Sequence, residues 1–433
     1  MLRGNSLRPL AAAVIGICVT LVAATYTAHA SHVAAQGGWP PPLDLSQSGS
    51  STSRDPALAR DENGDLHVIW MERAGVTFTV YHAGSDDQGS KWTYSDPMTP
   101  SASGNDRVEA AMDVDAYGLV HTVWVERFPA GDHQLWYALL SGDSWEEMAM
   151  ITQTNYVTYI VAPDVAAAPD FVHAVWSETN AGAKWDVFYS RSEAGGAWSP
   201  ATCTVETSFS SQYPRVAADP GGNLHVVWEE NNSPPAVHEI YYISGTVGTT
   251  ETVWSMPITV STGLTQTTTT PDVVVGSDNK VHVVFGVNVS GQQYVQDIYY
   301  ASFPITGPGV VSATLIPGSR VKVSQQLPTF ASPAVALLGT DQVHVAWNGW
   351  RAGDYSDSDR IYYAVSEDGG LSWSEPVPVS PRDSWPDGFP SLAADEKFVH
   401  VVWQEKVSGI DQDIYYTRRF PVRIPFPLAM KAY

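Results

Sequence analysis

The sequence predicts an all-β chain folded as a seven-bladed β-propeller of four-stranded antiparallel blades. Three observations predict it. A short apolar segment recurs seven times, as DLHVIW, LVHTVW, FVHAVW, NLHVVW, KVHVVF, QVHVAW and FVHVVW. Its histidines are His67, His121, His173, His225, His282, His344 and His400, spaced 52 to 62 residues apart. Each copy lies among other strand-like segments in a fixed order, and four short strands in a unit of this period describe a propeller blade. Sixteen tryptophans and twenty tyrosines beside thirty prolines and thirty-four glycines supply strands and tight turns. Nothing past residue 30 reads as a helix.

Each unit is justified strand by strand. The innermost strand is usually opened by proline, as in PALA, PRVAAD, PDVVV and PSLAAD. The second carries the histidine and is apolar on both sides, because both faces of a blade pack on neighbouring blades. The third reads VYHA, LWYAL, VFYSR, IYYIS, IYYAS, IYYAV and IYYTR, and the fourth follows a turn tryptophan, as in WSEPVPVS. The seventh unit lacks a fourth strand, since IYYTR runs into FPVRIPFP. Residues 37–46, GGWPPPLDLS, parallel residues 369–380, GGLSWSEPVPVS. The N-terminal segment is therefore expected to supply the outer strand of the last blade, closing the ring and hiding its last edge. Six blades are the alternative count, because the terminal units are the least regular.

Residues 1–30 read as a signal peptide: Arg3 and Arg8 precede an apolar run from Leu10 to Ala24, and Ala28-His29-Ala30 offers a cleavage site. Cleavage after Ala35 is the alternative. Cys18 follows Ile17 rather than a small residue, which argues against a lipid anchor. A secreted, extracellular or cell-surface protein is expected, with no membrane span after cleavage. The propeller is assigned to 37–420, and 421–433 form an apolar, proline-rich C-terminal tail. Beyond the leader Cys203 stands alone, so no intrachain disulfide is expected and the thiol reads as an inert small side chain. The net charge of −23 disfavours nucleic acid and anionic lipid as partners. A monomer is expected.

Two turns share a skeleton: SDDQGSKW at 85–92 and SEDGGLSW at 366–373. Ser85 and Asp87, like Ser366 and Asp368, suit hydrogen bonds to turn amides. Gly89 and Gly370 suit positive φ, and Trp92 and Trp373 cover the hairpin. Shorter versions, SEAGGAW and SGDSW, occupy the same place in other units, so the motif reads as scaffold. It resembles the Asp box of the bacterial neuraminidase repeats found in sialidases and their relatives. That resemblance implies a sialidase-like propeller with the boxes structural and facing away from the substrate.

In that family an Arg-Ile-Pro motif opens the first blade and a Glu-x-Arg-like pattern ends its second strand. SRDPALARDENGDLHVIWMER, residues 53–73, is similar to it. The resemblance implies that Arg54 belongs to a carboxylate-binding triad and Arg73 to the same site, with Asp55 where the family has isoleucine. Arg107 and Arg215 are candidates to complete the triad, a bidentate clamp for a carboxylate. The family's catalytic groups are a tyrosine assisted by a glutamate and an acid/base aspartate. The matching loop, ERAGVTFTVYH, has no carboxylate after Glu72, and Phe389 stands where the tyrosine is expected. The catalytic residues are therefore unassigned.

The seven histidines read as structural, each expected to donate to a backbone carbonyl of the neighbouring blade. Glu72, Glu126, Glu178, Glu230 and Glu405 end second strands, and Asp186, Glu239, Asp297 and Asp413 open third ones. These acids read as hairpin-end partners, with an acidic rim for sugars or cations as the alternative. In residues 348–360 Trp350, Arg351 and Tyr355 are candidates for sugar contacts. Asp354, Asp357 and Asp359 are candidate calcium ligands, Ca2+ being the one ion weighed and no other cofactor being expected. Together these features point to a secreted propeller that binds extracellular glycan or a surface protein. The alternatives are an exo-acting glycoside hydrolase of sialidase type and a structural protein-binding propeller.

Overall fold

The computed structural model describes residues 38–49, 51–98, 105–129, 131–152, 159–179, 184–193, 196–232, 237–290, 296–307, 310–311, 320–324, 332–349, 360–381, 386–408 and 411–421. The proposed signal peptide, Trp350, Arg351, Tyr355, Asp354, Asp357 and Asp359, and all but the first residue of the tail, lie outside them.

Seven antiparallel sheets form seven blades. The innermost strands are Ser53–Arg60, Asp106–Val114, Tyr159–Ala167, Ser210–Ala218, Thr268–Val275, Ala334–Leu338 and Pro386–Ala394. Each adjoins the next, and the last returns to the first, so the sheets circle an axis. The second strands are buried on both faces, as the apolar segments require, and Trp70, Trp124, Trp176, Trp228, Trp347 and Trp403 are among the most deeply buried side chains. The longer spacings in the fourth and fifth units have a local cause. There the third strands extend over Val237–Val247 and Gln296–Gly307, and the outer strand is split into two short pieces.

The last blade takes its outer strand, Leu43–Asp44, from the N-terminal segment. Leu43 pairs with Tyr416 and Asp44 with Tyr415, and Leu45 N donates to Ile414 O at 2.7 Å. Trp39 is buried and meets Tyr363 of the sixth blade edge-on, with ring centroids 5.3 Å apart. Arg419 of the seventh blade lies over its ring.

That contact recurs around the ring. Tyr137, Tyr189, Tyr242, Tyr300 and Tyr416, each from a third strand, meet Trp198, Trp254, Phe303, Trp373 and Trp92 of the following blade. All are edge-on at 4.9 to 5.3 Å, the favoured geometry for aromatic pairs. Each of these tyrosines, and Tyr363, is fixed from within its own blade. Its hydroxyl is hydrogen-bonded to Nδ1 of the second-strand histidine, at 2.6 to 2.8 Å. This corrects the expected backbone partner of those histidines: it is a tyrosine across the hairpin of the same blade. In the first blade His82 replaces the tyrosine, pairing with His67 at 3.2 Å and with Ser95 at 2.9 Å. Burial pushes His173 and His344 down to about 3, so they stay neutral at physiological pH.

The two eight-residue turns receive this tyrosine. Ser366 Oγ accepts from Gly370 N at 2.7 Å, while Asp368 Oδ1 accepts from Leu371 N and Ser372 N at 3.0 and 2.8 Å. Ser85 and Asp87 repeat the pattern toward Gly89 and Lys91. The glycines answer two demands. Gly89 and Gly370 have φ of +79° and +92°, and a Cβ on either would overlap Tyr416 or Tyr300 of the preceding blade. Those tyrosines donate to Gln88 O and Gly369 O, at 3.4 and 3.2 Å.

Two substitutions test this closure. Trp39→Ala removes a buried aromatic from the seam and should cost about 3–5 kcal/mol, read as a lowered melting temperature. Gly370→Ala should lower it as well, whereas Leu371→Ala, at an exposed position of the same turn, should change stability by less than about 0.5 kcal/mol.

Candidate functional site

The inner strands surround an axial channel of about 1000 Å³. Six of them carry a bulge at the same place, between Arg54 and Ala57, Val108 and Ala111, Val161 and Asp164, Gln212 and Arg215, Thr269 and Asp272, and Gly388 and Ser391. The bulged residue has a left-handed backbone: Asp55, Glu109, Ala162, Tyr213, Thr270 and Phe389 have φ of +45° to +55°. Five of these six precede proline, and Ser332, also before proline, is the equivalent residue of the sixth blade. Left-handed non-glycine residues cost about 1–3 kcal/mol each, and here the repeat imposes them.

These seven residues ring one mouth of the channel. The mouth faces away from the two eight-residue turns: Ser53 pairs with Glu72 at one end of the blade, while Leu66 pairs with Ser85 at the other. Tyr213 and Phe389 are the most exposed of the ring, at 42% and 49%.

Charges are tightly matched at the mouth. Arg54 pairs with Asp55 at 3.6 Å and stacks over Phe78. Glu109 accepts from Arg127 through Oε1 and from Ala162 N through Oε2, both at 2.7 Å. Asp55 N donates to Gln404 Oε1 at 3.0 Å. Burial raises the Asp55 carboxyl, opposed by Arg54, and Glu109 adds to the rise. Glu229 pairs with His238 and accepts from Thr270 N at 3.4 Å. Burial raises the Tyr213 phenol, and the charges of Glu229 and Glu109 raise it further.

Deeper in the channel, carboxylates tie blade to blade. Asp113 accepts from Ala167 N, Asp164 from Val216 N and Asp272 from Val335 N, all through Oδ2 at 2.8 to 2.9 Å. Ser391 Oγ plays this part for Leu58 N at 3.1 Å. Burial pushes Asp113 and Asp272 up to about 6 and raises Asp164 as well, with the charge of Arg215 opposing the rise at Asp164 and Asp272.

Of the arginines singled out in the sequence, Arg54 and Arg215 line the channel. Arg107 does not: it is buried against Trp124, bonded to Thr79 and paired with Glu126 at 3.8 Å. Arg73 is exposed at the end of its strand, outside the channel. No triad of these guanidinium groups assembles. The glutamates that end second strands are taken up locally: Glu72, Glu178, Glu230 and Glu405 accept from Trp70, Trp176, Trp228 and Trp403, at 2.8 to 3.0 Å. Glu126 accepts from Asn105 at 2.7 Å. Glu109, Tyr213, Asp113, Asp164 and Asp272 were not anticipated; the signal that marks most of this ring is the residue before the proline opening each inner strand. Among the described residues no cluster of three or more histidine, cysteine, aspartate or glutamate side chains could hold a metal ion. No helix among them is long and apolar enough to cross a membrane.

No protein-family model matches the chain, and no curated protein matches it in sequence. Solved structures do match. An ulvan lyase, a polysaccharide lyase bound to -[GlcA(1-4)Rha3S]-, aligns with a TM-score of 0.57 at 13% identity, covering 89% of this chain and 95% of that one. The endosialidase of phage phi92 aligns with a TM-score of 0.51 at 11% identity, over 92% and 71% of the two chains. A protein of unknown function from Dyadobacter fermentans gives 0.51 at 11%, over 87% and 97%. The fold this chain shares with them is the β-propeller. At such identities the likeness establishes the fold alone, and the chemistry of this propeller rests on its own channel residues.

The channel carboxylates make a pH signature. The folded protein holds the Asp272 proton more tightly than an unfolded chain, whose carboxyl titrates near 3.8. The penalty for ionising it is absent at acid pH and complete above about pH 6. Asp272→Asn removes that penalty and keeps an acceptor for Val335 N. Its melting temperature relative to the parent should rise between about pH 4 and about pH 6.5 and then stay level; thermal melts across that range check it.

Proposed function

We propose that this chain is a secreted propeller that binds extracellular carbohydrate at the channel mouth facing away from its eight-residue turns. One observation carries the reading. The scaffold repeats seven times, yet the seven equivalent mouth residues are Asp55, Glu109, Ala162, Tyr213, Thr270, Ser332 and Phe389. Sites lie where a symmetric scaffold is broken. Carboxylates and hydroxyls there match sugar hydroxyl groups, and the exposed rings of Tyr213 and Phe389 offer faces for sugar C–H groups. The leader-like residues 1–30 support export, and two structural neighbours are a polysaccharide lyase and an endosialidase.

Hydrolysis is the second reading, favoured by one observation: Asp55, its carboxyl raised by burial, feels the charge of Glu109 on the adjacent blade of the mouth. Glycoside hydrolysis uses a pair of carboxylic acids, one of which holds its proton more tightly than usual. A glycan array together with fluorogenic sialosides and aryl glycosides separates the readings. Binding without turnover is expected, and Tyr213→Ala should weaken it at least about tenfold, equivalent to about 1.4 kcal/mol. Turnover that falls in Arg54→Ala would establish the hydrolase instead. Neither binding nor turnover would leave a structural, protein-binding propeller.

A further inference from the structure

The charge distribution of the channel says which sugars such a site would take. Four arginines line it, and three of them are paired with a carboxylate of the protein. Arg54 is paired with Asp55 and held over Phe78, and Arg127 is paired with Glu109 at 2.7 Å. Arg60, toward the opposite end, is paired with Asp395 at 3.4 Å. The charge of Arg215, which has no such pair among the described residues, acts on Asp164 and Asp272. Five carboxylates line the same walls, Asp55, Glu109, Asp113, Asp164 and Asp272, and Asp395 stands behind Arg60. An acidic sugar needs a guanidinium free to fork onto its carboxylate or sulfate. At this mouth Arg54 and Arg127 are each already paired with a carboxylate of the protein, and the five carboxylates lining the channel outnumber its four arginines. A second acidic group entering would break an existing pair and leave Asp55 or Glu109 without its cation, a costly exchange at partly buried positions.

We infer that the channel mouth selects glycans that carry no carboxylate or sulfate, and that Asp55 and Glu109 determine this specificity by occupying Arg54 and Arg127. The inference rests on the reading of the mouth as a carbohydrate site. It departs from the carboxylate clamp suggested by Arg54 in the sequence, and from the acidic -[GlcA(1-4)Rha3S]- bound by the ulvan lyase of similar fold. Specificity of this kind works by exclusion: the repulsive element decides between ligands that share their hydroxyl contacts.

The test uses the whole protein on a glycan array that holds matched pairs: lactose against sialyllactose, and galactose oligomers against galacturonic acid oligomers. Affinities of the array hits are then measured by calorimetry. The wild-type protein should bind neutral members at least about tenfold more tightly than their acidic partners, a difference of about 1.4 kcal/mol. Added salt should narrow that gap by screening the repulsion. Asp55→Asn with Glu109→Gln frees both guanidinium groups while keeping an amide oxygen for Ala162 N, and it should reverse the preference. Wild-type protein that binds the acidic member of a pair equally or better overturns the inference while leaving the carbohydrate reading intact. Wild-type protein that binds no member of either set defeats the carbohydrate reading, and the inference with it. The salt dependence needs no variant, so it decides the matter even if the double substitution unfolds the protein.

Discussion

The architecture depends on one repeated contact: a third-strand tyrosine, pinned by the histidine of its own blade, set edge-on against an aromatic ring of the next. Without it the outer part of a four-stranded blade would have an apolar flank with no directed contact to its neighbour, the hydrogen bonds between blades lying along the channel. The histidine converts a soft packing contact into a directed one, because a buried phenol must find a partner and here has one chosen for it. The glycine of the eight-residue turn follows from the same contact, since only a residue without a side chain leaves room for the ring (Gly370 against Tyr300, Gly89 against Tyr416). So does the burial of Trp39, which fills for the last blade the place that Trp373 fills for the sixth.

Much of this was legible in the sequence. Blade count, strand order and the docking of the N-terminal segment were readable, because a propeller repeats its core and repetition survives in the letters. The tyrosines were visible too, but their pairing with the histidines was not. Pairing depends on hairpin register, and the loops between second and third strands vary in length, so that the two residues stand 16 to 19 apart. The channel residues were harder, and the bulge is the reason. Arg54 lies one position before the bulged residue, Arg107 two before and Arg215 two after it. An inserted residue shifts which side chains face the axis. Three arginines that look alike in sequence are therefore divided between the channel and a blade interface.

The division between scaffold and site is sharp. Trp, His and Tyr recur at fixed places on the second and third strands, whereas the mouth ring holds seven residues of seven types. Similar structures share the ring of blades at 11 to 13% identity, which is what happens when a few interface contacts define a fold and leave the axial positions free to vary.

The strand Leu43–Asp44 lies near the beginning of the chain, yet its partner, Asp411–Arg419, lies near the end. At a synthesis rate of about 5–20 residues per second, the first strand made waits on the order of tens of seconds for its mate. Until then six blades can stack in an open arc, with the flank of the first and the edge of the seventh both unsatisfied. Completion is thus a single late event that joins residues 43–44 to residues 415–416. A ribosome that stalls before Tyr416 leaves behind an arc that can finish itself only by borrowing a strand from another molecule.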